Sequence, residues 1–252
     1  MSSNKQKLSV LGHLDELRKR LIRSLIAVAL ASILSFVFYE QIFNILISPA
    51  QDISLVFIEM TEMLGTIMRV CLVSGIILAM PYLTYELIMF VSPALTRKEK
   101  KYVYLILPWI ALMFAAGVIF SYFILIPRIT EFLLTFGGDI ATPQIKIGNY
   151  ISVVTRLLLA VGLVFEMPVL TTFLSRIGII KPKWLADKRK AAIILAFILA
   201  AIITPTIDPI NQSIVAAPLV VLYEISIWLA RLVHKREPRA VTPESSPASE
   251  PK

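Results

Sequence analysis

The stretch AAIILAFILAAIITPTIDPINQSIVAAPLVVLYEISIWLARL, residues 191–232, decides how this chain is built. Only Asp208, Glu224 and Arg231 carry charge in it. One membrane crossing takes about 20 mostly apolar residues, so the stretch is too long for a single span. Thr204-Pro205-Thr206-Ile207-Asp208-Pro209 interrupts it with a run of turn formers. We read two helices, 191–203 and 210–229. The first is short for a full span, so it thins the bilayer or leans on its neighbours. The alternative is a pair of half-inserted helices.

Working outward, four further apolar segments read as spans: residues 22–38, 67–91, 103–126 and 151–174. The first follows a basic start, as a signal peptide would. Its apolar stretch exceeds the roughly 7–15 residues of a signal core, so it reads as a retained helix. Composition agrees with this count. Of the 252 residues 57% are hydrophobic and 17% charged, and mean hydropathy is +0.78. Those values exclude a disordered chain and an ordinary soluble enzyme.

Charge gives the count an independent check. All but four of the 25 Lys and Arg fall in residues 1–23, in the loops after the second and fourth spans, and from residue 231 to the end. The exceptions are Arg69, Arg128, Lys146 and Arg156. The positive-inside rule then places both termini in the cytoplasm, which needs an even number of spans; six satisfies it. The net charge of +8 therefore reads as basic loops beside anionic lipid rather than as a nucleic-acid site. The expected organisation is an amphipathic N-terminal segment (1–21), a bundle of six transmembrane helices (22–232) and a disordered cytoplasmic tail (233–252), rich in Pro, Ser and Glu.

No HExxH, GxSxG or Walker A motif occurs, so no enzyme activity and no cofactor are expected. One cysteine (Cys71) and two histidines (His13, His234) are too few for a zinc site or an internal disulfide. Work done by such a chain must draw on an outside source, such as the proton gradient.

The acids are more informative than the bases. Outside the tail, the cytoplasmic side holds only Asp15, Glu16, Glu99 and Asp187, each in basic surroundings. Such carboxylates form structural ion pairs or receive a cationic ligand. Leu11, Leu14, Leu17 and Leu21 share one helix face, and Glu16 and Arg20 stand four apart among the charged residues. Within the spans, Glu166 sits beside Pro168, about 12 Å from the cytoplasmic end of its helix. An ionisable group at that depth is costly unless paired or hydrated, and the proline frees a carbonyl one turn back. Together they suggest a polar cavity open to one side. Glu86 follows Pro81 nearer the cytoplasmic end, where it could reach the interface. Glu224 is a further acid within a span. The outer loop carries Glu40, Asp52, Glu59 and Glu62 beside an apolar run, residues 55–58, and reads as a cap over the bundle or a partner contact.

From the residues alone three readings stay open: a receptor for cationic segments, a proton-coupled small-solute transporter using Glu166 and Glu86, and an intramembrane hydrolase. The last ranks lowest, because the spans hold no pair of aspartates.

His13-Leu14-Asp15-Glu16-Leu17-Arg18-Lys19-Arg20-Leu21, Ser92-Pro93-Ala94-Leu95 with Glu99, Phe165-Glu166-Met167-Pro168-Val169, and Thr204-Pro205 followed by Asp208-Pro209 together resemble the TatC family, subunits of the twin-arginine protein translocase. Each motif is weak alone; their order, spacing and topology are specific. The resemblance runs from about residue 8 to residue 231. It implies an all-α membrane protein whose six helices form a cupped, concave bundle with short fifth and sixth helices. It implies recognition of paired-arginine signal peptides of folded precursor proteins, partnership with TatA- and TatB-type subunits, homo-oligomers in the receptor complex, and transport driven by the proton-motive force across a bacterial-type cytoplasmic membrane. By that resemblance Glu16 and Glu99 match the signal-peptide site, with Arg18 holding Glu16 or its helix in place and Phe90 and Pro93 at the entry to the first cytoplasmic loop. Glu166 matches an intramembrane acid that faces the concave side and either contacts partner helices or thins the local bilayer through hydration. Pro49 and Glu59 fall in the outer cap, and Asp208 in the outer turn. Glu86 departs from the family, standing where an uncharged polar residue is expected.

Overall fold

A computed structural model describes residues 2–50, 55–91, 97–135, 144–204 and 208–233, with side chains placed from residue 12 and omitted at 91, 97–102, 133 and 134. The described chain is almost entirely helical. α1 (Ser2–Val37) runs unbroken from the charged N-terminal residues into the first apolar segment. A short α2 (Tyr39–Ile47) and a 3₁₀ turn (Ser48–Ala50) follow. Next come α3 (Glu62–Val91) and α4 (Arg97–Phe120). α4 continues through a π-helical turn, Ser121–Leu125, into α5 (Ile126–Thr135). Then come α6 (Ile147–Arg176), the single-turn α7 (Pro182–Asp187), α8 (Arg189–Ile203) and α9 (Pro209–Val233).

Five helical segments are long and apolar enough to cross a membrane: Gly12–Val37, Glu62–Phe90, Val103–Phe132, Ile147–Arg176 and Pro209–Val233. α8 is the sixth. Its 15 residues reach only about 22 Å, against a hydrocarbon core of roughly 30 Å. Unpaired backbone is costly in lipid, and the sequence meets that cost locally. Pro81, Pro108, Pro168 and Pro218 lie inside helices, where each lacks the N–H that would bond one turn back. Polar side chains meet the cost within their own helices: hydroxyls bond back to carbonyls four residues earlier, as Ser74 does to Val70 and Thr171 to Met167, both at 2.7 Å, although neither carbonyl is one that a proline frees.

α6 is the centre of the bundle, touching α3, α4, α8 and α9. Ile151, Val154, Leu157 and Val161 of α6 are buried against Val70 of α3, Leu125 of the π turn, Ala200 of α8 and Val215 of α9. Small residues set the closest crossings. A Cβ on Gly75 of α3 would lie 2.6 Å from both Cα and N of Ser32, so α1 and α3 meet backbone to backbone. A Cβ on Gly162 of α6 would lie 2.7 Å from the Phe114 ring of α4.

The two ends of the bundle differ. At the capped end, β1 (Leu55–Val56) pairs in parallel with β2 (Ile145–Lys146). Glu62 accepts the Gly148 N–H at 3.2 Å and the Ile58 N–H at 3.0 Å. Tyr122 and Tyr150 donate their hydroxyls to the carbonyls of Ile45 and Leu46. α1 begins and α9 ends at the other end, the terminal face. There Ser175 of α6 bonds the Ala230 carbonyl, and Arg189 of α8 pairs with Glu224 at 2.8 Å. Glu224 is thus a half-exposed ion-pair partner rather than an isolated acid in the bundle.

Candidate functional site

The site grows from one turn of α1. Glu16 and Arg20, four apart, lie on one face, and the guanidinium closes on the carboxylate. Arg20 Nη2 and Nε both reach Glu16 Oε1, at 2.7 and 3.1 Å. The third contact crosses to α3, where Arg20 Nη1 donates to Glu86 Oε2 at 2.7 Å. Glu86 is 4% exposed, and its second oxygen accepts the Tyr82 hydroxyl at 2.8 Å. One arginine therefore holds two carboxylates, the deeper of them saturated. Glu16 remains partly open; among the described residues its Oε2 takes no hydrogen bond. One turn earlier, His13 of α1 stacks on Phe90 of α3 with ring centroids 4.3 Å apart, clamping the two helices again.

Beneath this cluster a cavity of about 630 Å³ opens on the concave side. α1, α3, α6, α8 and α9 contribute its walls, which are apolar except for a few groups: Arg20 and Glu86 at one level, Thr84 and Glu166 at another. Glu166 is 2% exposed, and the Thr84 hydroxyl sits 3.2 and 3.1 Å from its two oxygens. The burial of this acid in α6 is thus offset by a partner on α3, and the two helices are tied in the half nearer the terminal face. Such a surface suits a guanidinium at its charged rim and an apolar helix along its floor.

Of the residues singled out from the sequence, Glu16, Phe90, Glu86 and Glu166 gather on or beside this cavity. Two expectations need correction. Arg18 does not hold Glu16; it is exposed, and Arg20 grips Glu16 because residues four apart share a helix face while residues two apart do not. Glu86 does not reach an interface; it is buried and ion-paired. The suspected polar cavity is present, but its lining is mainly apolar. Glu99 lies in the first turn of α4, and its side chain falls outside the described residues, as does Pro93.

Three other residues lie at the capped end. Pro49 is in the 3₁₀ turn. Glu59 is exposed, 3.6 Å from Lys146. Asp208 Oδ1 accepts the Asn211 N–H at 2.7 Å just ahead of Pro209, the arrangement of a helix N-cap followed by proline at N1. The reading from sequence missed Thr84 and Tyr82. A threonine in an apolar span announces no partner, and Glu166 lies 82 residues further along the chain.

Known proteins share this architecture. Residues 12–218 match the family described as "Sec-independent protein translocase protein (TatC)". The chain belongs to the TatC family. A TatC protein of Carboxydothermus hydrogenoformans is 40% identical over 232 residues, covering 91% of this chain and 96% of that one. One from Aquifex aeolicus is 38% identical over 231 residues, covering 89% and 95%. A crystal structure described as the twin arginine translocase receptor TatC superposes with a TM-score of 0.81 at 39% identity, covering 88% of this chain and 99% of that one. TatC structures have six transmembrane helices, so the short α8 counts as a crossing helix. The chain is a multi-pass membrane protein and a component of a Tat protein translocase, a transport protein rather than an enzyme.

Proposed function

We propose that this chain is the receptor core of a twin-arginine translocase. It takes the paired arginines of a signal peptide at the terminal face and assembles with TatA- and TatB-type subunits to export folded proteins on the proton-motive force. Both termini lie in the cytoplasm, on the strength of the Lys and Arg distribution, and the membrane is the bacterial-type cytoplasmic membrane. One observation carries the reading. Glu16 is fixed in place by Arg20 through one oxygen while the other stays open beside an apolar cavity. A carboxylate so held is pre-ordered for an incoming guanidinium fork, and the cavity offers room for the apolar segment behind it. Glu99 is proposed as the second acid of the site and Pro93 as part of its entry. Glu166, together with the floor of the cavity, is the proposed contact for partner helices. Pro49 and Glu59 are proposed to keep the cap in place on the outer side.

The solute-transporter alternative needs Glu86 and Glu166 as exchangeable proton carriers. Glu86 is bound at both oxygens, by an arginine and a tyrosine, which disfavours it.

The test is binding of a labelled twin-arginine signal peptide to the purified protein, with a twin-lysine peptide of equal charge as control. Preference for arginine, reduced in Glu16→Ala and in Glu99→Ala, is the expected result. Equal affinity for both peptides, unaffected by either substitution, would overturn the reading.

A further inference from the structure

The cluster Glu16–Arg20–Glu86 has an odd number of charges. Arg20 and Glu16 alone form a neutral pair, which would have little long-range pull on a cation. Glu86 adds a second carboxylate on the same guanidinium, 2.7 Å away and 4% exposed. These three groups sum to −1 within basic surroundings that include Arg18 and Arg23 of the same helix, at the edge of an apolar cavity where water screens them less than on an open surface. Glu86 borders the cavity, but Tyr82 and Arg20 occupy its oxygens, so it has no carboxylate oxygen left without a partner to offer a peptide. What it can change is the charge that an approaching peptide meets.

We infer that Glu86 is a positioning residue that sets the affinity of the receptor site: by taking up the positive charge of Arg20 from behind, it returns to Glu16 the negative charge that Arg20 alone would cancel. The inference rests on the receptor reading above. It makes the attraction of the site depend on the balance of two residues whose charges are paired with each other, and it predicts that the balance can be restored by removing both.

Glu86→Gln keeps the shape and can still accept the Tyr82 hydroxyl, but it makes the cluster neutral. The affinity for both the twin-arginine and the twin-lysine peptide should fall roughly ten-fold at low ionic strength, the order expected for one unit charge at about 8 Å partly screened by solvent. The salt dependence of binding should flatten with it. Arg20→Gln/Glu86→Gln returns the net charge of the three positions to −1 through Glu16 alone, so it should recover the salt slope, while loss of the Arg20 hold on Glu16 keeps its affinity below that of the parent. A merely structural Glu86 would lower affinity without changing the salt slope, most of all in the double variant, which removes every tie between α1 and α3 in this cluster. Peptide binding by the parent protein with no change in Glu86→Gln, or a double variant whose salt slope stays as flat as that of the single one, would overturn the inference alone. A parent protein that binds neither peptide would overturn the receptor reading, and the inference with it.

Discussion

Gly75 is the position where a single added carbon has the largest foreseeable effect. In Gly75→Ala the new Cβ would stand 2.6 Å from the Ser32 Cα and N, 0.8 Å short of the 3.4 Å at which ordinary contact begins. The obstacle is backbone, so no side chain can swing aside, and α1 must move off α3 by most of that distance. Overpacking of this kind costs about 1–3 kcal/mol, and a backbone obstacle belongs at the upper end. The alanine gains back about 0.5–1 kcal/mol of helix propensity, which leaves a net loss of roughly 2 kcal/mol. At about 2–4 °C per kcal/mol for a chain of this size, the melting temperature in detergent should drop by roughly 4–8 °C. Gly65→Ala on the same helix is the control, because its Cβ meets nothing within 4 Å and should leave the protein unchanged or slightly more stable. The displacement would also pull Arg20 from Glu86, so peptide affinity should fall in Gly75→Ala and not in Gly65→Ala. Equal melting temperatures for the two variants would refute the packing argument.

Two further predictions concern single acids. Asp208→Ala removes the cap of α9 and should cost about 1 kcal/mol, read as a melting temperature lower by a few degrees with peptide affinity unchanged, while Asp208→Asn keeps most of the stability. Glu166→Ala leaves the Thr84 hydroxyl facing an apolar cavity; we expect a folded protein that peptide binding detects as normal but that fails in partner assembly or export, with Glu166→Gln, which can still bond Thr84, closer to the parent. Normal export by well-expressed Glu166→Ala protein would remove that residue from the proposed mechanism.

The six-helix architecture was legible because lipid imposes simple rules. Long apolar runs must be helices, turn formers such as Thr204 to Pro209 must divide them, and Lys and Arg fix the parity. The TatC motifs then named the family. The capped end was not legible. α2, the two-residue strands and the Glu62 bonds depend on meetings between residues about 90 apart in the chain, and two-residue strands leave no periodic signature. The site was half legible. The pairing of Glu16 with Arg20 follows from helix periodicity, whereas the burial of Glu86 depends on an arginine 66 residues earlier. Thr84 was invisible for the same reason.

The fastening at the capped end has a mechanical meaning. The strand pair, the two bonds to Glu62 and the two tyrosine bonds join the loop after α1 to the starts of α3 and α6 and to the end of α4. That end is a fulcrum, and α3 and α6 are levers of 30 residues, about 45 Å long. A tilt of about 5° at the fulcrum would carry the far tips some 4 Å apart, less than the radius of about 5–6 Å of a helix with its side chains. An opening of that size would first have to break the Thr84–Glu166 bond, so α3 and α6 are fastened twice, once at the cap and once beside the cavity, and the bundle holds its concave shape as a braced frame does.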